Sequence, residues 1–370
     1  MFRLKYAIIG CGRIAVKHFE AAYKNGYQLV ALCDISLDVL RLFMTANNIN
    51  KAKISIFTTV DAMINSVDLD TVAIATPSGT HFEIAKKCID KGINVIIEKP
   101  ITLSLKEADE LIELCDQKNI MATVCHQNRF NQSVQEVKKA INRGDIKKIL
   151  YACAHVRWHR DNAYYNKASW RGTWNDDGGA LMNQGIHNAD ILRWLCGENV
   201  KEVFAYIDRL NHPNIEVEDV ALAVIQFDNG TYGTIEATTD VFPENLEETL
   251  YLFGDEATVK LGGKSVNTVE IWNVKSDRRD ADLIKSEFSE YPNNIYGNGH
   301  SLLYKDFYTA VREKRQPYIS LKDARNSLEL VLAIYKSALT HRPIEIPLMN
   351  DFSLEDMKGW RPKNENEGFA

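Results

Sequence analysis

An apolar run, Tyr6-Ala7-Ile8-Ile9, leads directly into Gly10-Cys11-Gly12-Arg13-Ile14-Ala15 and then into residues with helical spacing. Glycines spaced G-x-G-x-x-A at a strand-to-helix junction suit the binding of a dinucleotide. The first allows a tight turn, the second lets backbone approach a pyrophosphate, and the small Ala15 permits close helix–strand packing. Phosphates would rest on the N–H groups of the helix start, where the dipole is positive. Asp34 ends the next apolar run, nineteen positions beyond Ala15. A carboxylate there accepts hydrogen bonds from an adenosine ribose and repels a 2′-phosphate, which favours NAD over NADP. The bland alternative is that Asp34 only caps the following helix.

These residues need a scaffold that gathers strand ends. Strand-like runs are expected over 6–9, 29–34, 54–57, 71–75, 94–97 and 121–125, with helical spacing between them. The 71–75 and 94–97 runs are almost continuously apolar, as in parallel strands buried on both faces. Ser104 and Glu107 form the pattern of a capping box that opens a helix through Lys118. Six strands with intervening helices predict an α/β fold with a doubly wound parallel sheet, whose ligands bind outside the carboxyl ends of the strands. Gly10, Asp34, Thr76, Lys99 and His126 all fall at such ends.

Beyond a helix over 133–142, residues 147–158 read as a long strand. Alternation puts Tyr151, Cys153, His155 and Arg157 on one face and Ala152, Ala154, Val156 and Trp158 on the other. Arg157-Trp158-His159-Arg160, Tyr164-Tyr165 and Trp170-Arg171-Gly172-Thr173-Trp174 follow, dense in arginine and aromatics for loop. Arginine forks bind phosphate or carboxylate, and aromatic faces stack on bases or sugars. The same residues also suit a surface loop with snorkelling arginines. Gly178-Gly179 precedes a helix on which Asn183 and His187 share a face and Asp190 follows. From 201 onward alternating segments make a meander, with Asn229-Gly230 as a hairpin turn. A large sheet covered by few helices leaves a face for another subunit, so a homo-oligomer is expected through it. The loop 296–300 opens a helix whose N-terminus suits an anionic group or is a plain junction. A last helix is expected over 321–339, packing back on the first domain, and a polar, loosely ordered tail over 356–370.

The chain has 370 residues, a prior for about two domains, and its 45% hydrophobic and 25% charged content suits a globular protein. A net charge of -6 with no long basic run argues against nucleic acid. No apolar stretch approaches the roughly 20 residues needed to cross a bilayer, and the N-terminus lacks a signal-peptide layout. The seven cysteines form no C-x-x-C pair and read as reduced, so a cytoplasmic protein is expected.

Glu98-Lys99-Pro100, preceded by Thr76-Pro77-x-x-x-His81 and G-x-G-x-x-A, resembles the Gfo/Idh/MocA oxidoreductase family. Gly185-Ile186-His187-Asn188-Ala189-Asp190 resembles that family's G-x-H-x-x-D segment. The resemblance implies an NAD-binding Rossmann domain over 1–125 and a substrate-binding and oligomerisation domain over 126–355 with an open, mostly antiparallel sheet. It implies NAD contacts from Gly10, Gly12, Arg13, Ile14 and Asp34 on the first loops. Thr76, Pro77, Ser78, His81, Glu98 and Lys99 would add to them from the later strand ends. Lys99 and His187 are implied as the catalytic pair, with either as formal base, and no metal. Many members have Asp where Asn183 stands; an amide can orient a substrate but cannot act as base.

Within the family, the arginine-rich run followed by Asn183-Gln184-Gly185-Ile186-His187 resembles the UDP-N-acetylglucosaminuronate 3-dehydrogenases of surface-polysaccharide biosynthesis. The substrate would then be a nucleotide-sugar, oxidised at the C3 hydroxyl. Its anionic groups would meet Arg157, Arg160 and Arg171, and its uracil would stack on Trp158 or Tyr164. Tyr165, Asn183, Lys99 and His187 would complete the substrate contacts. A free-sugar or inositol dehydrogenase, an NAD-dependent glycosidase and a non-catalytic dinucleotide and sugar sensor are the alternatives.

Overall fold

The computed structural model describes residues 3–197, 199–292, 297–349 and 352–362. It resolves into two units, residues 1–127 with 299–325 and residues 128–298 with 326–370.

The first unit is built on β1 (Leu4–Ile9), α1 (Ala15–Lys24), β2 (Tyr27–Cys33), α2 (Leu37–Ala46), β3 (Ser55–Phe57), α3 (Val60–Ser66), β4 (Thr71–Ile74), α4 (His81–Asp90), β5 (Asn94–Ile97), α5 (Leu105–Lys118) and β6 (Ala122–Val124). The strands form one sheet in the order β3-β2-β1-β4-β5-β6. Every pairing in it is parallel. The chain reverses direction across the sheet between β1 and β4, and such a switch point leaves a crevice at the strand ends. All four residues of β4 are buried, as a strand covered on both faces requires. Ser36 and Thr59 cap α2 and α3 by accepting from Val39 and Ala62 N–H. The expected capping box at α5 differs: the Ser104 side chain makes no cap hydrogen bond. The Thr102 hydroxyl instead donates to the Ser104 carbonyl and accepts from the Ser104 N–H.

The second unit opens with α6 (Gln132–Arg143), β7 (Ile149–Arg157), α7 (Asn162–Tyr165), α8 (Ile186–Cys196), β8 (Val200–Asp208), β9 (Val220–Phe227) and β10 (Tyr232–Thr238). It continues with β11 (Glu247–Gly254), β12 (Ala257–Gly262), β13 (Thr268–Val274) and α9 (Ala281–Phe288). Its eight-stranded sheet runs β13-β12-β11-β7-β10-β9-β8-β14, where β14 is Ile344–Glu345 at one edge. Only the β7–β10 pairing is parallel. The alternation expected for β7 holds, with Ala152, Ala154 and Val156 buried. The opposite face exposes Tyr151, Leu222, Val224 and Tyr232.

Two helices group otherwise than expected. It is α10 (Gly299–Glu313) that belongs with the first unit, where Tyr304 and His300 bond to Tyr6, His18 and Glu98. Of α11 (Leu321–Thr340), residues 321–325 belong to the first unit, where Arg325 Nε bonds Asp109 at 2.8 Å, and from residue 326 the helix belongs to the second unit, where Ser327 reaches Asp190 and Tyr335 reaches Glu218. The expected tail also differs over 356–362. Met357 is buried in a short 3-10 turn, and Trp360 sets its ring edge against Trp174, because these apolar side chains find an apolar surface. Residues 363–370 of that tail and 293–296, with the expected loop residue 296, lie outside the described residues. No described helix is long and apolar enough to cross a membrane.

Candidate active site

In the first unit, Gly10 follows β1 with φ +86, a left-handed conformation that favours glycine. A Cβ there would lie 2.5 Å from the Ala75 carbonyl oxygen at the end of β4, so the loop closes onto the switch point only with glycine. A Cβ on Gly12 would meet open space, which leaves room for a ligand above the exposed loop. No side chain caps the start of α1 at Ile14; the Ala15 and Lys17 N–H groups bond back to the Gly12 and Ile14 carbonyls at 3.2 and 2.8 Å, and the helix start is positive by its dipole. Asp34 is partly buried; its Oδ2 accepts the Cys11 N–H at 2.8 Å and its Oδ1 the Ser36 N–H at 2.9 Å. Ser36, not Asp34, is the cap of α2. Asp34 thus ties the glycine loop to the end of β2, where a ribose would lie. These residues fit a dinucleotide.

Thr76, Pro77 and Ser78 follow β4 and are partly exposed at the same sheet edge, with the Thr80 hydroxyl bonded to Thr76 Oγ1 at 2.8 Å. His81, expected among the cofactor contacts, has another task. Its buried ring faces the Pro100 carbonyl at 2.7 Å and the Thr76 carbonyl at 3.1 Å, tying two strand-end loops together. Burial lowers its pKa, so the neutral ring donates to one carbonyl only. Glu98 is likewise buried and bonded within the unit, while Lys99 beside it is partly exposed.

In the second unit, the segment before His187 departs from the expected α-helix. Residues Ala180–Gly185 form a π-helical turn, and α8 begins at Ile186. Its amides are held by two buried groups. Glu218 Oε1 accepts the Leu181 N–H at 2.9 Å and the Tyr335 hydroxyl at 2.9 Å; that hydroxyl accepts the Met182 N–H at 3.2 Å. A Cβ on Gly179 would lie 1.8 Å from Glu218 Oε2, so glycine is needed to seat this carboxyl. Burial pushes Glu218 up to about 8, protonated at neutral pH. Asn183, on the π turn, donates to Asp177. His187 is buried in the first turn of α8, and its neighbours pin that helix. Asn188 donates to the His155 carbonyl at 3.1 Å and the Thr249 carbonyl at 3.3 Å. Asp190 takes Arg129 Nε and Nη2, both at 2.7 Å, and the Ser327 hydroxyl.

The three arginines expected to meet substrate anions separate. Arg157 lies on the outer face of β7, its fork held by Glu236 at 2.7 Å and its third nitrogen by Glu247 at 2.6 Å. It is neutralised across the sheet by glutamates two strands supply, and the expectation of an anion contact from Arg157 is withdrawn. Arg160 and Arg171 do come together. Their guanidinium carbons stand 4.9 and 4.4 Å from the Tyr164 ring centre, and Arg171 Nη1 donates to the Tyr164 hydroxyl at 2.6 Å. Arg160 also covers Trp158 at 5.0 Å. Among the described residues neither arginine has a carboxylate within ion-pair distance. The rings expected to stack on uracil, Trp158 and Tyr164, are buried and carry guanidinium groups instead. Tyr165 is buried too, its hydroxyl bonded to Thr239 and its ring set against His212.

The sequence reading missed Glu218, His18, His300 and the Arg129–Asp190 pair. For Glu218 the only trace is a pair of acids, Glu218-Asp219, at the start of an apolar strand run.

A glycine cradle at a switch point and an acid at the end of β2, followed by a second α/β unit, define a dinucleotide-dependent oxidoreductase. Residues 4–126 match the oxidoreductase family with an NAD-binding Rossmann fold, and residues 134–260 match the GFO/IDH/MocA C-terminal domain. The chain belongs to the Gfo/Idh/MocA family and is an NAD-dependent oxidoreductase. The WlbA dehydrogenase from Bordetella pertussis, solved with NADH and UDP-GlcNAcA, is 32% identical with a TM-score of 0.87, covering 94% of this chain and 98% of that one. WlbA from Chromobacterium violaceum, with the same two ligands, gives 32% identity and a TM-score of 0.85 over 94% of this chain and 97% of that one. The NAD-dependent scyllo-inositol 2-dehydrogenase of Bacillus subtilis strain 168 is 27% identical over 292 residues, 77% of this chain and 80% of that protein.

Proposed function

We propose that this protein oxidises the C3 hydroxyl of UDP-N-acetylglucosaminuronate to the 3-keto sugar. The observation that carries this reading is the pair of guanidiniums of Arg160 and Arg171 on Tyr164, with no carboxylate of the described residues within ion-pair distance of either. Two uncompensated forks suit a substrate with a carboxylate and a diphosphate, and a neutral polyol has no use for them. The kinship with WlbA supports the same substrate class.

Bound at the Gly10–Asp34 cradle, NAD supplies the hydride acceptor. Gly10, Gly12, Arg13 and Ile14 would present backbone to its phosphates, Asp34 would take the ribose, and Thr76, Pro77, Ser78 and Lys99 would border it. Lys99 and His187 share the proton of the substrate hydroxyl. Imidazole, with an ordinary pKa of about 6.5, suits a base near neutral pH. The Lys99 ammonium donates to the same oxygen and stabilises the developing alkoxide. Asn183, oriented by Asp177, holds the substrate and takes no proton. The exposed outer sheet face packs on a second copy of the chain, which sedimentation velocity would report as a dimer or tetramer; a monomer at micromolar concentration contradicts this.

The test mixes the protein and NAD with UDP-N-acetylglucosaminuronate, UDP-N-acetylglucosamine, N-acetylglucosamine and scyllo-inositol, with products read by mass spectrometry. The expected result is a 3-keto product from the uronate alone. Turnover of scyllo-inositol with none of the uronate overturns the reading in favour of a polyol dehydrogenase.

A further inference from the structure

We propose that His18 and His300 are positioning residues for Lys99, acting through the buried carboxylate of Glu98. This rests on the assignment of Lys99 to the chemistry.

All of the groups belong to the first unit. Glu98 closes β5 with its own N–H on the Ile74 carbonyl, so its backbone is fixed by the sheet. Its Oε1 receives His18 Nε2 at 3.1 Å and His300 Nε2 at 3.4 Å. Its Oε2 accepts the backbone N–H of Lys99 at 3.2 Å. The Cys125 thiol borders the same carboxylate. Burial alone would raise the Glu98 carboxyl; the hydrogen bonds from both histidines outweigh it and hold it well below the usual carboxylate range.

An ionised Glu98 is the acceptor for every group that touches its carboxylate through an N–H. As Glu98 only accepts, His18 presents a proton to it on Nε2, and its Nδ1 lies 2.6 Å from the Tyr304 hydroxyl. That hydroxyl is also hydrogen-bonded to the Tyr6 hydroxyl at 2.6 Å. The network Tyr6, Tyr304, His18 therefore leads to Glu98, on which the Lys99 backbone N–H also converges. Its members come from β1, α1, the end of β5 and α10, so α10 supplies two of them, His300 and Tyr304. Gly299 makes this possible: a Cβ there would lie 2.5 Å from the Gln127 carbonyl oxygen. Gly299 thus seats His300 against Glu98. A carboxylate held by two donors has one rotamer, and it fixes the amide next to the lysine.

The test compares His300→Ala and His18→Ala with His300→Gln and His18→Gln, whose amide nitrogens replace the Nε2 donors. Each is measured for kcat and KM with NAD and UDP-N-acetylglucosaminuronate, for NAD Kd by fluorescence, and for Tm. A turnover-independent readout is the 13C resonance of reductively methylated Lys99 in the apoprotein, assigned by its loss in Lys99→Arg. The expected result is a kcat loss of about tenfold in the alanine variants, with KM and Kd within about twofold and recovery in the glutamine variants. The Lys99 resonance shifts or broadens in the alanine variants and returns in the glutamine ones. If an alanine variant fails to fold, His18→Asn and His300→Asn, too short to reach Glu98, replace it. Unchanged kcat and an unchanged resonance in the folded variants overturn the positioning role. Near-normal turnover in Lys99→Ala instead overturns the assignment of Lys99 itself.

Discussion

Arg129 and Asp190 form a two-pronged ion pair, both bonds 2.7 Å, in which each side chain is about 1% exposed. The aspartate of the G-x-H-x-x-D segment is therefore an anchor for the helix that carries His187. Removing one partner leaves a buried charge uncompensated, at a cost of about 3–5 kcal/mol. Asp190→Ala is expected to lose that much stability in urea unfolding, and a loss under about 1 kcal/mol would refute the anchor.

Asp34 accepts two backbone N–H groups at the end of β2 and faces the expected ribose. Asp34→Ala is expected to raise the NAD Kd about tenfold and to narrow the preference over NADP, since the repelling charge is gone. Fluorescence titration with both cofactors measures it, and an unchanged Kd ratio would contradict the role.

Only Arg160 and Arg171 group around Tyr164, while Arg157 is held by Glu236 and Glu247. Arg171→Ala and Arg160→Ala are each expected to raise the substrate KM by tenfold or more, about 1.4 kcal/mol. Arg157→Ala leaves KM within about twofold. Equal KM effects in all three would restore Arg157 to the site.

Most of this organisation is legible in the chain. The switch-point loop is marked by Gly10, which nothing bulkier can replace, and the parallel strands by unbroken apolar runs. The face of β7 is marked by its alternation. What the chain hides is partnership across long separations. Nothing local tells that Arg157 will meet glutamates 79 and 90 positions away, or that His300 will reach Glu98 across 202. The π turn at 180–185 is hidden likewise, since its cause is a buried carboxyl, Glu218, far along the chain.

Glu218 and Glu248 are both buried, and burial pushes each from 4.5 to about 8. The folded state keeps protons that the unfolded chain has lost, so this stabilisation is fully present below about pH 4.5 and is lost as pH rises through about 8. The double variant Glu218→Gln, Glu248→Gln cannot titrate there. Its Tm is expected to fall less than that of the wild type as pH rises through the same window, and parallel curves would refute the shifts.

The central claim is oxidation at C3 by this NAD-dependent enzyme. The direct measurement uses UDP-N-acetylglucosaminuronate carrying deuterium only at C3, with the sugar product weighed by mass spectrometry. The predicted product has lost that deuterium and the hydroxyl proton, with a 3-keto group in their place. Retention of the deuterium in an oxidised product, or no oxidised product at all, would contradict the account.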